Sequence, residues 1–303
     1  MMEEQIIRTN SMRAWLLAAR PKTLSGAMVP VMIGVALAYV DAAGYNGEVF
    51  NWWAALLCLL FAFVMQVDAN LVNDFFDFVR GNDDAEMRLG PRRACAQGWV
   101  TLDAMKRAIA ATTCAACIIG LPLVYFGGME MLLVGVACVL GCFAYTTHLS
   151  YLGMGDLLVL VFFGVVPVCC CYYIQLHTLT PTVVLASVAC GLVVDALLLV
   201  NNYRDRFNDR AVGKKTLVVR MGDKYSRWLY LGVGVVACLM GGAFWMAGHP
   251  LAFVLPFIYL VLHLYTYLKI KRIDRGKALN LCLGETARNI FIYGVCVTAG
   301  TLL

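Results

Sequence analysis

Two short acidic segments of the chain carry the side chains best suited to chemistry. In the first, Asn70, Asn73, Asp74 and Asp77 stand at positions i, i+3, i+4 and i+7, which form one stripe along an α-helix. Gln66 extends the same stripe by one helical turn. Carboxylates at the end of an apolar helix are costly to place there, so the stripe predicts a functional site.

The second segment has the same character. Asn202, Asp205 and Asp209 share a helical stripe, and Asp195 lies near that stripe, roughly 10 Å deeper along the helix axis. Basic residues follow each segment: Arg80 after the first, and Arg204, Arg210 and Lys214 around the second. We predict that the two segments form two walls of one site.

Oxygen ligands without histidine or cysteine favour hard cations such as Mg²⁺, which binds one or two carboxylates together with phosphate oxygens. The neighbouring Arg and Lys residues fit the negative charge of a diphosphate. The alternative is that these acids only face water at helix ends and have no function. That alternative explains one acidic segment more easily than it explains both. The residues therefore predict a site for a metal-bound diphosphate.

The elements that position these acids are apolar helices. Of the 303 residues, 61% are hydrophobic and 14% are charged, against roughly 25% charged residues in soluble domains. A bilayer core about 30 Å thick requires roughly 20 apolar residues per helix. We identify nine such runs, at 24–40, 52–73, 106–126, 130–147, 157–175, 182–203, 227–247, 250–270 and 282–303. The sequence predicts an all-α polytopic membrane protein with a single membrane-embedded domain, 1–303.

The distribution of Lys and Arg predicts the topology. With nine spans, all of these residues except Arg288 fall on one side, which the positive-inside rule makes cytoplasmic. The N-terminus is then inside and the C-terminus outside. Segment 1–22 is expected to be an amphipathic cytosolic segment with a short helix from Ser11 to Ala19, and 78–105 and 204–226 are expected to be cytosolic caps. The net charge of +5 follows from this topology, and no nucleic-acid partner is predicted.

The two acidic segments also mark a faint internal repeat. Each ends the second helix of a four-helix stretch, so we predict two four-helix halves, with the ninth helix completing a ring around a central cavity. The 13 cysteines show no metal-binding spacing. Asp68 is predicted to face a neighbouring helix and to need a partner there, and Glu285 and Arg288 are predicted to pair with each other.

Several stretches together resemble the UbiA-type intramembrane prenyltransferases. The segment Asn73-Asp74-Phe-Phe-Asp77 matches the first motif of that family, and Asp205-Arg-Phe-Asn-Asp209 matches the second. Further similarity, closest to the branch that prenylates 1,4-dihydroxy-2-naphthoate in menaquinone biosynthesis, lies at 20–24, 89–98, 153–164 and 201–217.

The resemblance implies a reaction and a site. A polyprenyl group passes from polyprenyl diphosphate to the aromatic acid, CO₂ is lost, and demethylmenaquinone forms at the plasma membrane. Two Mg²⁺ ions are expected at Asp74, Asp77, Asp83, Asp205 and Asp209, with Tyr145 facing the allylic cation and Lys214 assisting the diphosphate. The expected substrate-binding residues are Gln66, Asn70, Asn73, Arg80, Asp195, Asn202, Arg204 and Arg210.

Other readings stay open at this point. The acceptor is alternatively 4-hydroxybenzoate or a porphyrin-type ring, because acceptor choice depends on cavity residues that the sequence does not place. A cation-coupled transporter is the alternative from another class, although its acids should lie near the bilayer middle at broken helices. The oligomeric state and the length of the prenyl chain are not specified by the sequence.

Overall fold

The computed structural model describes residues 7–44, 49–81 and 89–303, and within these ranges it contains helices but no β-strand. Asp83 lies outside the described residues. The helices are α1 (Met12–Ala19), α2 (Leu24–Gly44), α3 (Trp52–Val79), α4 (Leu102–Gly127), α5 (Glu130–Ala144), α6 (Gly155–Leu160), α7 (Val166–Leu176), α8 (Pro181–Ala211), α9 (Leu217–Met240), α10 (Gly242–Met246), α11 (Pro250–Val254), α12 (Phe257–Ile273) and α13 (Leu279–Leu302). Two π-helical turns, Tyr145–Leu149 and Val161–Val165, follow α5 and α6.

The predicted all-α membrane architecture is confirmed. The nine predicted apolar runs are mainly helical, with turns at 241 and 247 in the run 227–247 and at 255–256 in the run 250–270. Within the described residues, eight helical segments are long and apolar enough to cross a bilayer. Helix α13 has the necessary length but is not among those eight, and it carries Glu285 and Arg288 in its first half. The chain is therefore a multi-pass membrane protein with at least eight spanning segments.

The acidic segments lie inside helices, two turns beyond the predicted ends of the runs. Helix α3 continues past residue 73 to Val79, and α8 continues past residue 203 to Ala211. Just beyond each helix stands a glycine with positive φ, Gly81 (72°) and Gly213 (74°), the backbone conformation that commonly ends a helix. Both acidic stripes thus sit on rigid helix, and much of the predicted cap 204–226 is helical.

Small residues allow neighbouring helices of the bundle to pack closely. A Cβ atom on Gly164 would lie 2.5 Å from the Cα atom of Gly191 in α8, and one on Gly34 in α2 would lie 2.6 Å from the carbonyl oxygen of Val168 in α7. Contacts between small residues let helix backbones approach each other in a membrane. Helix α8 is accordingly the most buried of the spanning segments.

Helix α1 is the short N-terminal helix that the sequence predicts. The Ser11 hydroxyl accepts a hydrogen bond from the Ala14 amide, and the helix ends at Arg20, immediately before Pro21. Ala14 and Ala18 form its buried face, which packs with α3 and with residues 94–105, whereas Met12 is exposed. Helix α1 thereby covers the end of α3 that carries the first acidic segment.

Two acidic residues inside the helices, Asp68 and Glu285, have partners on neighbouring helices. Asp68 accepts hydrogen bonds from Thr112 (2.5 Å) and Thr113 (3.0 Å) of α4, as its predicted orientation requires. The predicted Glu285–Arg288 pair is wrong. Glu285 instead pairs with Lys269, because α12 packs beside α13 and brings that ammonium group closer.

Candidate active site

A cavity of about 680 Å³ lies between α2, α3, α4, α5, α7 and α8. Arg20, Arg93, Asn73 and Asn201 line one end of it, and the rest of the wall is mainly apolar. The cavity therefore has one cationic end and one end suited to hydrocarbon.

The carboxylate of Asp74 fixes the loop that covers this polar end. Its two oxygens accept hydrogen bonds from the backbone amides of Ala94 (2.9 Å) and Cys95 (3.0 Å), and the residue is 1% exposed. Burial, together with the charge of Asp74, raises the pKa of the Cys95 thiol to about 12. Asp74 thus acts as an anchor for residues 94 and 95.

The other end of the same loop is held by α13 and contacts the second acidic segment. Asn280 of α13 donates a hydrogen bond to the carbonyl oxygen of Leu89 (2.8 Å). Gly90 lies directly over Arg204, and a Cβ atom there would be 2.6 Å from the Nη2 atom of Arg204. The segment 89–95, which we call the bridging loop, therefore connects the two acidic walls.

Arg93 of the bridging loop brings a positive charge to the cavity. Its Nη2 atom lies 2.8 Å from an oxygen of Asp77, and the residue is 6% exposed. Arg20 lines the same end of the cavity, within electrostatic range of Asp74, Asp77, Arg93 and Arg204. Two guanidinium groups, rather than the aspartates behind them, thus face the cavity.

Arg204 is committed to the second wall. Its guanidinium donates to Asp205 through Nε (2.8 Å) and Nη2 (2.5 Å), to Asn201 (2.7 Å) and to Asn280 (2.9 Å). The residue is 1% exposed. This geometry fixes the Asp205 carboxylate and leaves Arg204 little capacity to bind a substrate directly.

Asp209 is the acid of the second wall with an open oxygen. Its Oδ1 atom lies 3.8 Å from the Lys214 ammonium, and its buried Oδ2 atom has no hydrogen-bond partner within the described part of the chain. Asp205 and Asp77 both lie within electrostatic range of it. The Asp77 and Asp209 side chains, one from each wall, are therefore close enough to influence each other.

The metal-binding capacity of the site is divided between these walls. In the ranges that the structure describes, no group of three or more His, Cys, Asp or Glu side chains forms a ready-made metal cage. Asp77 and Asp209 offer one carboxylate from each wall. Such sparse oxygen donors fit a cation that completes its coordination with phosphate and water, as Mg²⁺ does.

The amide residues of the first stripe mainly hold the N-terminal turn. Asn70 donates to the carbonyl oxygen of Ala19 (3.0 Å) and to the Thr23 hydroxyl (2.9 Å), and Gln66 donates to the same hydroxyl (3.3 Å). These bonds position Arg20, which lies between Ala19 and Thr23. Asn73 lines the cavity.

The remaining predicted basic residues lie further from the cavity. Arg80 donates to the carbonyl oxygens of Thr146 (3.2 Å) and Thr147 (2.6 Å), so it fastens the π-helical turn after α5 to the end of α3. Arg210 is exposed at the end of α8. Neither residue lines the cavity.

Tyr145 separates the main cavity from a small second pocket. It lines both, and the second pocket also contains Asp156, Asn202 and Lys214. Asp195, which is 6% exposed, lies within electrostatic range of Asp156, and each of these acids has a buried oxygen with no hydrogen-bond partner among the described residues. The tyrosine thus stands between the cavity and a buried acidic pair.

No site role is predicted from the sequence for Arg20, Thr23, Arg93 or Asn280. Arg20, Thr23 and Arg93 lie in the stretches 20–24 and 89–98, which carry part of the family resemblance. The resemblance therefore marks these stretches without indicating what the three residues do. Asn280 had no such signal, because it reaches Leu89 from α13, 191 residues away along the chain.

Comparisons with known proteins find a family and individual relatives with similar sequences. Residues 27–292 match the sequence model of the UbiA prenyltransferase family. The chain is 39% identical over 252 residues to the 1,4-dihydroxy-2-naphthoate octaprenyltransferase of Escherichia coli strain K12, covering 80% of this chain and 77% of that protein. It is 33% identical over 251 residues to the Haemophilus influenzae strain Rd protein of the same name, covering 78% of each.

A solved structure shares the fold. The UbiA homolog from Archaeoglobus fulgidus bound to GPP and Mg²⁺ superposes with a TM-score of 0.65 at 13% sequence identity, over 94% of this chain and 99% of that chain. The similarity extends over almost the whole length of both proteins.

The anchoring role of Asp74 leads to a first prediction. Asp74→Asn removes the charge and leaves one acceptor oxygen for two amides, so the bridging loop should loosen and the pKa of Cys95 should fall from about 12. Because the thiolate population rises tenfold for each unit by which the pKa falls, alkylation of Cys95 should accelerate at least about tenfold. Peptide-resolved mass spectrometry after timed iodoacetamide treatment measures this rate.

Asp68→Asn is the matched control, since Asp68 is a buried acid of the same helix with different partners. It should leave Cys95 as slow to react as in the wild type. Equal rates in the Asp74→Asn variant and the wild type would contradict the anchoring role.

Proposed function

The chain belongs to the UbiA prenyltransferase family, and from this membership we propose that it transfers a polyprenyl group from polyprenyl diphosphate to 1,4-dihydroxy-2-naphthoate. The products are CO₂, diphosphate and the prenylated naphthalene diol of the demethylmenaquinone branch. The observation that supports this proposal best is the cavity itself, which has Arg20 and Arg93 at one end and an apolar wall elsewhere.

The cationic end of the cavity fits the diphosphate of the donor. Arg20 and Arg93 line it, and Lys214 lies near Asp209 at the edge of the second wall. Positive groups fixed at this point stabilise the charge that develops on the leaving diphosphate. The sequence predicts that Arg204 binds the substrate. Its guanidinium group instead holds the Asp205 carboxylate in place.

Two Mg²⁺ ions are proposed as partners of the diphosphate, one for each wall. Asp77 and Asp209 are the best-placed ligands, because they come from opposite walls and one oxygen of Asp209 has no partner in the described chain. Asp205 and Asp74 lie on the same two helices as these ligands and support them. Asp83 remains a predicted ligand. When bound, the metal neutralises the diphosphate oxygens and makes diphosphate a better leaving group.

The reaction then needs an allylic cation beside an electron-rich ring, away from water. The C–O bond of the donor breaks with both electrons going to diphosphate. The ring carbon that carries the carboxylate forms the new C–C bond, and the electrons of the C–COO⁻ bond restore the aromatic ring as CO₂ leaves. The face of Tyr145 at the cavity is suited to stabilise the cation, and we assign Asp195 to the hydroxyl side of the acceptor.

Other acceptors and other classes fit less well. Both relatives that we compare are named as naphthoate octaprenyltransferases, which favours the naphthoate over 4-hydroxybenzoate or a porphyrin-type ring. A cation-coupled transporter requires acids near the middle of the bilayer. Here Asp74, Asp77, Asp205 and Asp209 lie in the last two turns of their helices.

The acidic end of the helices is proposed to face the cytoplasm, in the plasma membrane. Basic loops remain cytoplasmic, and residues from several of these loops meet at this end. Arg206 and Arg227, for example, both contact Asp274. Helix α1 lies at the same end, because it packs on residues 94–105.

The acceptor is tested by following its carboxyl carbon. Membranes that contain the protein should release labelled CO₂ from carboxyl-labelled 1,4-dihydroxy-2-naphthoate, in equal amount to diphosphate, when octaprenyl diphosphate and Mg²⁺ are supplied. With 4-hydroxybenzoate, neither diphosphate nor a prenylated product should appear. A prenylated product that retains its carboxyl group would overturn the proposed reaction.

The metal assignment is tested with Asp209→Asn. Loss of this carboxylate should reduce Mg²⁺-dependent diphosphate release at least about 100-fold, because a donor to the metal site is lost. Asp103→Asn is the control, since Asp103 is 87% exposed at the start of α4 and should retain wild-type turnover. Undiminished release by a folded Asp209→Asn protein, as judged by size-exclusion chromatography, would remove Asp209 from the site.

Orientation is tested with reporter tags. A tag inserted at Gly44, at the end of α2, should report from outside the cytoplasm, whereas a tag before Met12 should report from inside. A tag after Leu303 should report from outside if α13 crosses the bilayer. A cytoplasmic signal at Gly44 would reverse the proposed orientation.

A further inference from the structure

A buried pair of acids lies behind Tyr145, apart from the proposed metal ligands. Asp156 stands in the first turn of α6 and lines the small second pocket, and Asp195 of α8 lies within electrostatic range of it. Leu198 and Asn202 follow Asp195 on the same face of α8, and both line that pocket. The pair therefore adjoins the small pocket from two helices.

Each acid of the pair has an oxygen without a hydrogen-bond partner. The Oδ1 atoms of Asp156 and Asp195 are both buried and unpartnered in the part of the chain that the structure describes. A buried carboxylate oxygen is costly to leave without a donor, and two like charges close together repel each other. Such a pair is suited to take up one proton, which supplies a donor and removes one charge.

The hydroxyl end of Tyr145 lies at the small pocket. A Cβ atom on Gly155 would lie 3.9 Å from the Tyr145 hydroxyl oxygen, and Gly155 both precedes Asp156 and lines this pocket. Tyr145 and Leu198 line the main cavity as well as the small pocket. Of these two side chains, only the tyrosine carries a proton that it can exchange. Tyr145 therefore connects the main cavity to the acid pair.

Contacts on both sides fix the backbone around the tyrosine and the first acid. Tyr145 begins the π-helical turn that Arg80 fastens to the end of α3. In the loop before Asp156, Gly153 has a φ angle of 76°, and a Cβ atom there would collide with the carbonyl oxygen of Lys215. Only glycine fits both conditions. The hydroxyl and the acid pair are thus held in place relative to each other.

Charged groups from the neighbouring elements surround the pocket. Lys214, which follows α8, lines it, and Arg220 of α9 donates a hydrogen bond to the loop before α6. Asp77 of α3 and Arg93 of the bridging loop lie within electrostatic range of Tyr145. Lys214 is 3.8 Å from an oxygen of Asp209, and Arg93 pairs with Asp77. The two acidic walls therefore engage these two bases.

We propose that Asp156 and Asp195 hold the proton of an acceptor hydroxyl while the ring reacts, and that the Tyr145 hydroxyl passes this proton between the main cavity and the pair. This inference rests on the proposed function and adds a proton path to it. The same tyrosine then serves twice, with its ring face toward the allylic cation and its hydroxyl toward the acids.

The path gives each proton and electron pair a destination. As the hydroxyl beside the carboxylate loses its proton to the Tyr145 oxygen, the tyrosine proton passes to the acid pair. The electrons freed on the acceptor oxygen form its C=O bond, and ring electrons form the C–C bond to the prenyl group. Loss of CO₂ from the resulting β-keto carboxylate returns the electrons to that oxygen. The proton then comes back by the same route, so none is consumed.

Asp156→Asn keeps the size of the side chain and removes its ability to accept the proton. Turnover of 1,4-dihydroxy-2-naphthoate by this variant should fall about 100-fold at pH 7, as on loss of a general base. The ratio of variant to wild-type turnover should then rise up to about tenfold per pH unit between about pH 7 and 9, because the acceptor hydroxyl ionises without help. Undiminished turnover, or a loss that is equal at every pH, would overturn the proposal.

Tyr145→Phe separates the proton path from stabilisation of the cation. The variant keeps an aromatic face at the cavity and lacks the hydroxyl, so its turnover relative to the wild type should rise with pH as that of Asp156→Asn does. The double variant should lose no more than about twofold beyond the weaker single variant, because both changes interrupt one path. Losses that multiply in the double variant would contradict a shared path.

Asp41→Asn is the matched control. Asp41 of α2 accepts a hydrogen bond from Tyr172 of α7 (2.6 Å), and neither residue lines the main cavity or the small pocket. This variant contains the same kind of change at another acid–tyrosine contact, so its pH profile should follow that of the wild type. A rise of its relative turnover with pH would show that the effect is not specific to the path.

Folding is checked by the binding of a non-cleavable thio analogue of geranyl diphosphate, which should stay within about twofold of the wild type in each variant. If Asp156→Asn failed to bind the analogue, Tyr145→Phe would decide alone, since a loss equal at every pH in that variant would overturn the path. If the wild-type protein prenylated the naphthoate at no pH, the proposed function itself would fail, which is a different result.

Discussion

The two hydrogen bonds from the amides of Ala94 and Cys95 to the Asp74 carboxylate hold the rest of the site together. They fix one end of the bridging loop to the first acidic wall, and the contacts of Leu89 and Gly90 fix its other end to the second wall. A carboxylate that accepts two backbone amides is well solvated by the protein even when it is fully buried. The two walls therefore belong to one rigid unit.

Charge compensation at low dielectric explains how the other acids are arranged. An ionised carboxylate is stable away from bulk water only when a base or a hydrogen-bond donor accompanies it. Arg93 accompanies Asp77 and Arg204 accompanies Asp205, whereas Asp209 keeps one oxygen without a partner among the described residues. The basic partners leave a positive face at the cavity, which suits the diphosphate in the proposed reaction.

The two sides of the cavity differ in how tightly their helices pack. Helix α8, which carries the second acidic segment, is largely buried and meets its neighbours through Gly191. Helix α5 has no buried residue. Precise placement of charged groups requires a rigid support, and the tightly packed side supplies that support to the second acidic segment.

Local pattern alone determined the apolar helices and the placing of each acidic stripe on one helix, because helical periodicity and bilayer thickness act on neighbouring residues in the sequence. Pairing between distant segments was decided by the tertiary structure. Asp74 anchors the bridging loop, Arg204 is held between Asp205 and Asn280, and Glu285 pairs with Lys269 rather than with Arg288. Each of these contacts depends on which helices pack side by side, and spacing within a single helix carries no information about that packing.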